Sequence, residues 1–272
     1  MLDDREISSN KYSDIIDLYN RKEFESIIEK IKCLEEDKFE DPFLLNLLGA
    51  TYLKLNDKKN AKIYFSHAIS IEPDHKEAII NLGNLEYKAG LYQNAFDYYA
   101  KLTKNGSAEP TLLGYMGKCL FELGHTEDGI TLCEEAIRMN PDIEKPYFFL
   151  AEMMYKKEDP EAVVNYYYQV LERNPNSFST YFELGNYFKK IKCFNMALRF
   201  YEKCISVKPD FIKAHFKKAK IFSSIGKHEN SISVLKKIIE LDNQNSKAFD
   251  LIGTELEHLN FSEEAKDRYL DA

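Results

Sequence analysis

The sequence predicts an all-α protein built as an array of repeated helical hairpins. Small residues recur at a fixed step of 34: Gly49, Gly83, Gly117, Ala151, Gly185, Ala219 and Gly253. A period of this size marks an array of stacked supersecondary units. Two further columns keep the same step. Ala61, Ala95, Gly129, Val163, Ala197, Ser231 and Ala265 form one; Phe65, Tyr99, Cys133, Tyr167, Tyr201, Leu235 and Tyr269 form the other, four residues on. Proline punctuates the junctions at Pro73, Pro141, Pro175 and Pro209, with Ser107 and Asn243 in the remaining two.

Each column has a physical reason. Two helices that cross closely need small residues at the crossing, which pairs Gly49 with Ala61 and so on along the chain. The aromatic four residues later lies on the same helical face and is expected to fill the space toward the next repeat. The position before each small residue holds Leu48, Leu82, Met116, Leu150, Leu184, Lys218 and Ile252. Proline ends the second helix because the residue before it is steered away from helical geometry. Pro73-Asp74, Pro141-Asp142 and Pro209-Asp210 then supply turn chemistry. No single hairpin buries its apolar face, so stability must come from stacking neighbours.

The pattern Leu48-Gly49-x-x-Tyr52, Ala61-x-x-x-Phe65, Pro73 resembles the tetratricopeptide-repeat consensus. The resemblance runs over residues 42–272 without insertion or deletion. It implies a helix-turn-helix array wound as a right-handed superhelical solenoid, with repeats at 42–75, 76–109, 110–143, 144–177, 178–211, 212–245 and an incomplete one at 246–272. The family's tryptophan slot holds Leu45, Ile79, Leu113, Tyr147, Tyr181, His215 and Phe249, which keep bulk without the indole. Repeat 212–245 departs furthest, with Lys218, Ser231 and Asn243 at signature positions. Residues 1–41 read as a worn first repeat or cap. Tyr12, Ile15, Ile16, Leu18 and Tyr19 have helical spacing, as do Phe24, Ile27, Ile28, Ile31 and Leu34, but Ile15 falls in the small-residue slot. The last repeat stops mid-helix at Ala272, which suggests either a fragment of a longer protein or a flank that meets a partner or a second copy.

Composition narrows the function. The 272 residues are 44% hydrophobic and 30% charged, an ordinary globular mixture. Eleven glycines and eight prolines are too few for a loop-rich all-β protein. The N-terminal Met1-Leu2-Asp3-Asp4-Arg5-Glu6 lacks a following apolar stretch, so a secretory signal is not expected. No apolar run is long enough for membrane insertion. Cys33, Cys119, Cys133, Cys193 and Cys204 are odd in number and form no Cys-x-x-Cys pair, as in a cytoplasmic protein with reduced thiols. The net charge of −8 is uneven. Residues 1–140 carry all of it, whereas residues 181–240 hold 13 Lys/Arg against 5 Asp/Glu. Such a balance argues against nucleic acid and for a basic stretch that selects an acidic protein or peptide.

The resemblance also implies where a ligand sits, since this family binds peptides along the first helices of its hairpins, at the second, fifth, ninth, twelfth and thirteenth positions of each repeat. The fifth positions include Phe148, Phe182 and Phe216, a stripe open to two readings, ligand contact or ordinary burial. The ninth include Asn84, Lys118, Asn186 and Lys220, and the twelfth Tyr87 and Tyr155. Lys213, Lys217 and Lys220 share one helix face, with Lys189 and Lys190 closing the first helix of the preceding repeat. Together they suggest a groove for an acidic segment with apolar anchors, against the bland alternative of a solvated basic face. Asn84 and Asn186 are expected to hold ligand backbone. No lysine occupies a fifth position, so the chaperone-tail clamp of some family members is not matched.

Catalytic chemistry is missing from the sequence. His67, His75, His125, His215, His228 and His258 are scattered without metal-ligand spacing. No Gly-x-Ser-x-Gly elbow or Gly-rich phosphate loop occurs. No cofactor is called for and Cys133 and Cys204 read as packing residues. The leading expectation is a scaffold or adaptor that is not an enzyme. Its alternatives are the recognition arm of a larger enzyme of glycosyltransferase, sulfotransferase or methyltransferase type, with the catalytic domain beyond residue 272, and a self-assembling subunit that dimerises through its C-terminal repeat.

Overall fold

The computed structural model describes residues 12–33, 40–103 and 109–270. Met1–Glu6, Leu34, Ser107 and Ala272, all used above, lie outside them, as does the side chain of Tyr269. Sixteen helices and no strand occur among the described residues. They fall in two compact units, Met1–Phe149 and Leu150–Ala272. Unit 1 contains α1 (Ser13–Asn20), α2 (Phe24–Lys32), α3 (Pro42–Lys54), α4 (Lys58–Ile71), α5 (Lys76–Lys88), α6 (Tyr92–Thr103), α7 (Pro110–Glu122) and α8 (Thr126–Met139). The unit boundary falls within α9 (Glu144–Lys156). Unit 2 continues with α10 (Pro160–Arg173), α11 (Phe178–Lys190), α12 (Phe194–Val207), α13 (Ile212–Ser224), α14 (His228–Leu241), α15 (Ser246–His258) and α16 (Ser262–Leu270).

Local chemistry sets the helix starts. Asp41, Asp57, Asp159, Ser177 and Asn245 each cap a helix by accepting from a backbone N–H in its first turn. Pro42, Pro110 and Pro160 occupy first-turn positions, where a missing N–H costs nothing. The stops follow a column that the sequence reading above lacks. Lys22, Asn56, Gly90, Gly124, Glu158, Lys192, Gly226 and Asn260 all have positive φ, between 59° and 95°, and recur every 34 residues. The following N–H reaches back to close the turn, as in Asp57 N–H to Tyr52 O (2.8 Å), His125 to Leu120 (2.9 Å) and Cys193 to Phe188 (2.8 Å). This is the Schellman closure, which satisfies the last helical carbonyls. Because only three of these eight residues are glycine, the column is hard to see in the sequence.

The core corrects the expected role of the small-residue column. A Cβ on Gly49 would lie 2.5 Å from the Phe65 ring, and one on Gly83 or Gly185 would lie 2.6 Å from Tyr99 or Tyr201. The ring of the same repeat thus lies in the space of the missing side chain. At Gly117, where Cys133 replaces the aromatic, the opposed backbone comes that close instead, with the Gly129 carbonyl 2.5 Å from such a Cβ. Phe65 also packs with Leu82 and Leu85 of the next hairpin, so one ring serves both contacts.

Polar tips on buried rings demand partners. Tyr99 Oη donates to Asn84 Oδ1 and Tyr201 Oη to Asn186 Oδ1, both at 2.9 Å. Phe65, with no hydroxyl, has Ala50 at the matching place. In the former tryptophan slot, Tyr147, Tyr181 and His215 bond the carbonyls of Pro141, Pro175 and Pro209, at 3.2, 2.9 and 2.8 Å. His215 must donate through Nε2, since a carbonyl only accepts. At the N-terminal end, Tyr12, Ile15, Ile27 and Ile31 are buried against Leu44 and Leu48 of α3.

Three stability outcomes are expected in urea unfolding. Gly124→Ala should lose about 1–2 kcal/mol, the cost of a Cβ in left-handed backbone, because nothing else lies near that position. Glu158→Gly relieves the same strain and gives back part in unfolded-chain entropy, for a net gain of about 0.5 kcal/mol. Asn84→Ala should cost about 1–2 kcal/mol by orphaning the buried Tyr99 hydroxyl. Adding Tyr99→Phe should restore most of that loss; strictly additive losses would refute the pairing.

Candidate functional site

The residues singled out in the sequence separate into two groups. Asn84, Tyr87, Lys118 and Phe148 lie in unit 1, and the remaining nine in unit 2. In unit 1 most are occupied by the core. Tyr87 meets Tyr92, Tyr115 and Phe149 at centroid distances of 5.8, 5.5 and 6.2 Å. Lys118 is only 2% exposed, with its Nζ 2.7 Å from Glu122 Oε1 and over the Phe121 ring. It is thus a buried structural cation instead of a surface-presented one. It sits near two thiols, Cys119 and Cys133, that burial pushes up to about 12, which leaves both protonated at neutral pH. Phe148 is half-buried.

In unit 2 the phenylalanines also serve packing. Phe182 is half-buried, edge-on to Phe211 at 5.1 Å and tilted against Tyr201 at 5.8 Å. Phe216 packs on the cluster of Ala219, Ile232, Leu235, Ala248 and Ile252, with Lys247 over its ring. Asn186 accepts from Tyr201 and donates to Glu183 Oε2 at 3.2 Å. Both sequence-selected asparagines are therefore held by the tyrosine column, a dependence legible in hindsight from Asn recurring fifteen residues before Tyr. Tyr155 and Tyr187 meet edge-on at 6.1 Å beside a separate cavity of about 430 Å³, and Lys190 Nζ lies 3.8 Å from the Tyr155 ring centre.

Three of the five lysines come together. Lys189, Lys190 and Lys220 line a cavity of about 570 Å³ with Lys192, which the sequence reading did not include. Its walls are Phe194, Ala219, Leu235 and Leu251, with the hydroxyls of Ser223, Ser224 and Ser231. The cavity lies between successive hairpins, so α11 supplies Lys189 and Lys190 from its last turn and α13 supplies Lys220, Ser223 and Ser224. Phe182, Asn186, Phe216, Lys213 and Lys217 do not line it. Burial, then the charges of Lys217 and Lys220, hold the Lys189 ammonium below the usual lysine range. The one carboxylate in the wall, Glu255, is buried and engaged by His228 Nδ1 at 2.6 Å and Ser231 Oγ at 3.1 Å. Among the described residues none of Lys189, Lys190, Lys192, Lys217 and Lys220 forms an ion pair. The site is therefore an apolar recess with an uncompensated cationic rim.

Among the described residues no group of three or more His, Cys, Asp or Glu is placed to hold a metal ion. No helix among them is long and apolar enough to cross a membrane.

Residues 44–75, 178–211 and 212–245 match the tetratricopeptide repeat. The chain is similar to the CTR9 homologue of Arabidopsis thaliana, 23% identical over 76% of this chain and 20% of the relative. It is 22% identical to the TPR repeat-containing protein YpiA of Bacillus subtilis, over 79% of this chain and 51% of that one. It is 20% identical to Hsp70-Hsp90 organizing protein 3 of Arabidopsis thaliana, over 93% and 53%. The chain thus spans about a fifth of the first relative's length and about half of the other two. Among solved structures, yeast Tom70 superposes with a TM-score of 0.72 at 17% identity, over 90% of this chain and 52% of that one. Three matched repeats, left-handed turns every 34 residues and ring-on-glycine packing that recurs at that period mark the chain as an array of tetratricopeptide repeats.

Proposed function

We propose that the chain is a protein-interaction adaptor that binds a partner segment, acidic around an apolar anchor, at the lysine-rimmed recess of unit 2. The observation that carries the reading is the recess itself. Its volume of about 570 Å³ accommodates a leucine- or phenylalanine-sized side chain, and its rim presents lysines without ion-pair partners among the described residues. Burying such an anchor contributes roughly 1.5–3 kcal/mol, whereas each exposed ion pair at the rim adds about 0–1 kcal/mol. The anchor therefore supplies affinity, and the lysines select the partner's sign and speed its approach. The excess of 13 Lys/Arg over 5 Asp/Glu across residues 181–240 extends the attraction along a segment rather than a single group. A relative described as an Hsp70-Hsp90 organizing protein is in keeping with an adaptor role.

The direct test is fluorescence anisotropy with a labelled synthetic peptide in which leucine and phenylalanine are flanked by aspartates. Lys189→Glu with Lys220→Glu should weaken binding tenfold or more, and the loss should shrink as salt is raised. Unchanged affinity in a variant with native helicity would remove the recess from consideration.

The rim also has a pH signature. Because the folded Lys189 pKa is lowered, the unfolded chain binds more protons between that value and the ordinary 10.5. Stability should therefore rise with pH through that window and fall as pH drops through it. Lys220→Met removes one repelling charge and should move the Lys189 side-chain titration, followed by NMR, upward. A titration unmoved by the change would show that Lys220 does not act on Lys189.

A further inference from the structure

Unit 1 holds a further cavity, of about 420 Å³, distinct from the recess of unit 2. It lies between the α3–α4 hairpin and α5. Lys54 comes from the last turn of α3, Asn56 from the left-handed turn, Lys58 from the start of α4, and Asn81, Asn84 and Lys88 from α5. None of its lining residues is acidic. Among the described residues, none of Lys54, Lys58 and Lys88 forms an ion pair. Three cations therefore gather around amide groups within a stretch, residues 1–140, whose net charge is −8.

The amides are partly pre-set. Asn84 Oδ1 accepts from Tyr99 Oη at 2.9 Å, which leaves its NH₂ as the group able to donate elsewhere. Asn81 Nδ2 donates to Asn46 Oδ1 at 2.9 Å, which fixes that side chain as well. Ammonium groups together with orientable amide donors suit an anion that offers several acceptor oxygens.

Charge distribution separates this cavity from the recess of unit 2. A long acidic segment meets general repulsion along residues 1–140, whereas a compact dianion seated among the lysines senses mainly its immediate surroundings. At physiological salt the screening length is only about 8 Å. A phosphoryl group carries a charge of about −1.5 to −2 with three acceptor oxygens, more than a side-chain carboxylate concentrates in the same space.

We infer that this cavity is a binding site for a phosphorylated serine or threonine of a partner segment, with Lys54, Lys58 and Lys88 neutralising the phosphoryl group and Asn84 donating to it. The inference is independent of the reading of unit 2.

The test uses the full chain labelled with ¹⁵N and three short peptides, Ala-Ala-X-Ala-Ala, in which X is phosphoserine, serine or glutamate, with inorganic phosphate as a fourth probe. The phosphopeptide should shift the side-chain amide signals of Asn84 and Asn56 and bind tenfold or more tightly than the serine and glutamate forms. Lys54→Gln with Lys88→Gln, both exposed positions, should weaken it tenfold or more. Lys189→Glu with Lys220→Glu should leave it unchanged, which separates failure here from failure of the unit 2 site. Absence of shifts, a glutamate peptide that binds as tightly, inorganic phosphate that binds as tightly as the phosphopeptide, or insensitivity to the Lys54 and Lys88 changes would each overturn the assignment.

Discussion

The structure depends on a ring lying where a side chain is missing. Phe65 on Gly49, Tyr99 on Gly83 and Tyr201 on Gly185 bring the two helices of a hairpin into register, and no residue with a Cβ fits without displacing the ring. The contact also sets the chemistry around it. When the ring is tyrosine, its hydroxyl is carried into the core and needs an acceptor, so Asn84 and Asn186 follow from Tyr99 and Tyr201. Where the ring is phenylalanine, Ala50 suffices. A position that family comparison assigns to ligand contact is thus partly governed by the core, and asparagine there is first of all a packing residue.

The same distinction divides the charges. Lys118, Glu86 and Glu255 are buried and matched, to Glu122, Lys62 and His228 respectively. Burial without a partner would cost several kcal/mol, so these pairs are held by the fold. Lys189, Lys190, Lys192 and Lys220, and separately Lys54, Lys58 and Lys88, face cavities without such partners among the described residues. Exposed lysines are ordinary. At Lys189, burial and then the charges of Lys217 and Lys220 disfavour the ammonium, a cost that an incoming anion offsets.

The two cavities share a place in the repeat architecture. Each lies between successive hairpins, at the ends of first helices, where the Schellman turn redirects the chain. There the last turn of a helix presents side chains whose carbonyl neighbours are already satisfied, as at Asn56 and Lys192. The turn is a structural necessity, while the residues beside it are free to vary from repeat to repeat.

The sequence by itself determined the helical hairpins, their 34-residue period and the basic character of residues 181–240, because these follow from local spacing and composition. It carried the left-handed turn column too, but hid it, since five of the eight positions are not glycine. What only the tertiary structure decided is which equivalent positions remain available. Lys118 and Lys220 occupy the same ninth position of their repeats, yet one is buried against Glu122 and the other lines an open recess. Phe182 and Phe216 share a fifth position and both turn to packing, against Phe211 in one case and the Ile232–Leu235 cluster in the other. A period specifies where a side chain starts on its helix; whether it meets solvent or a neighbour depends on the non-periodic side chains around it, such as Glu122 beside Lys118.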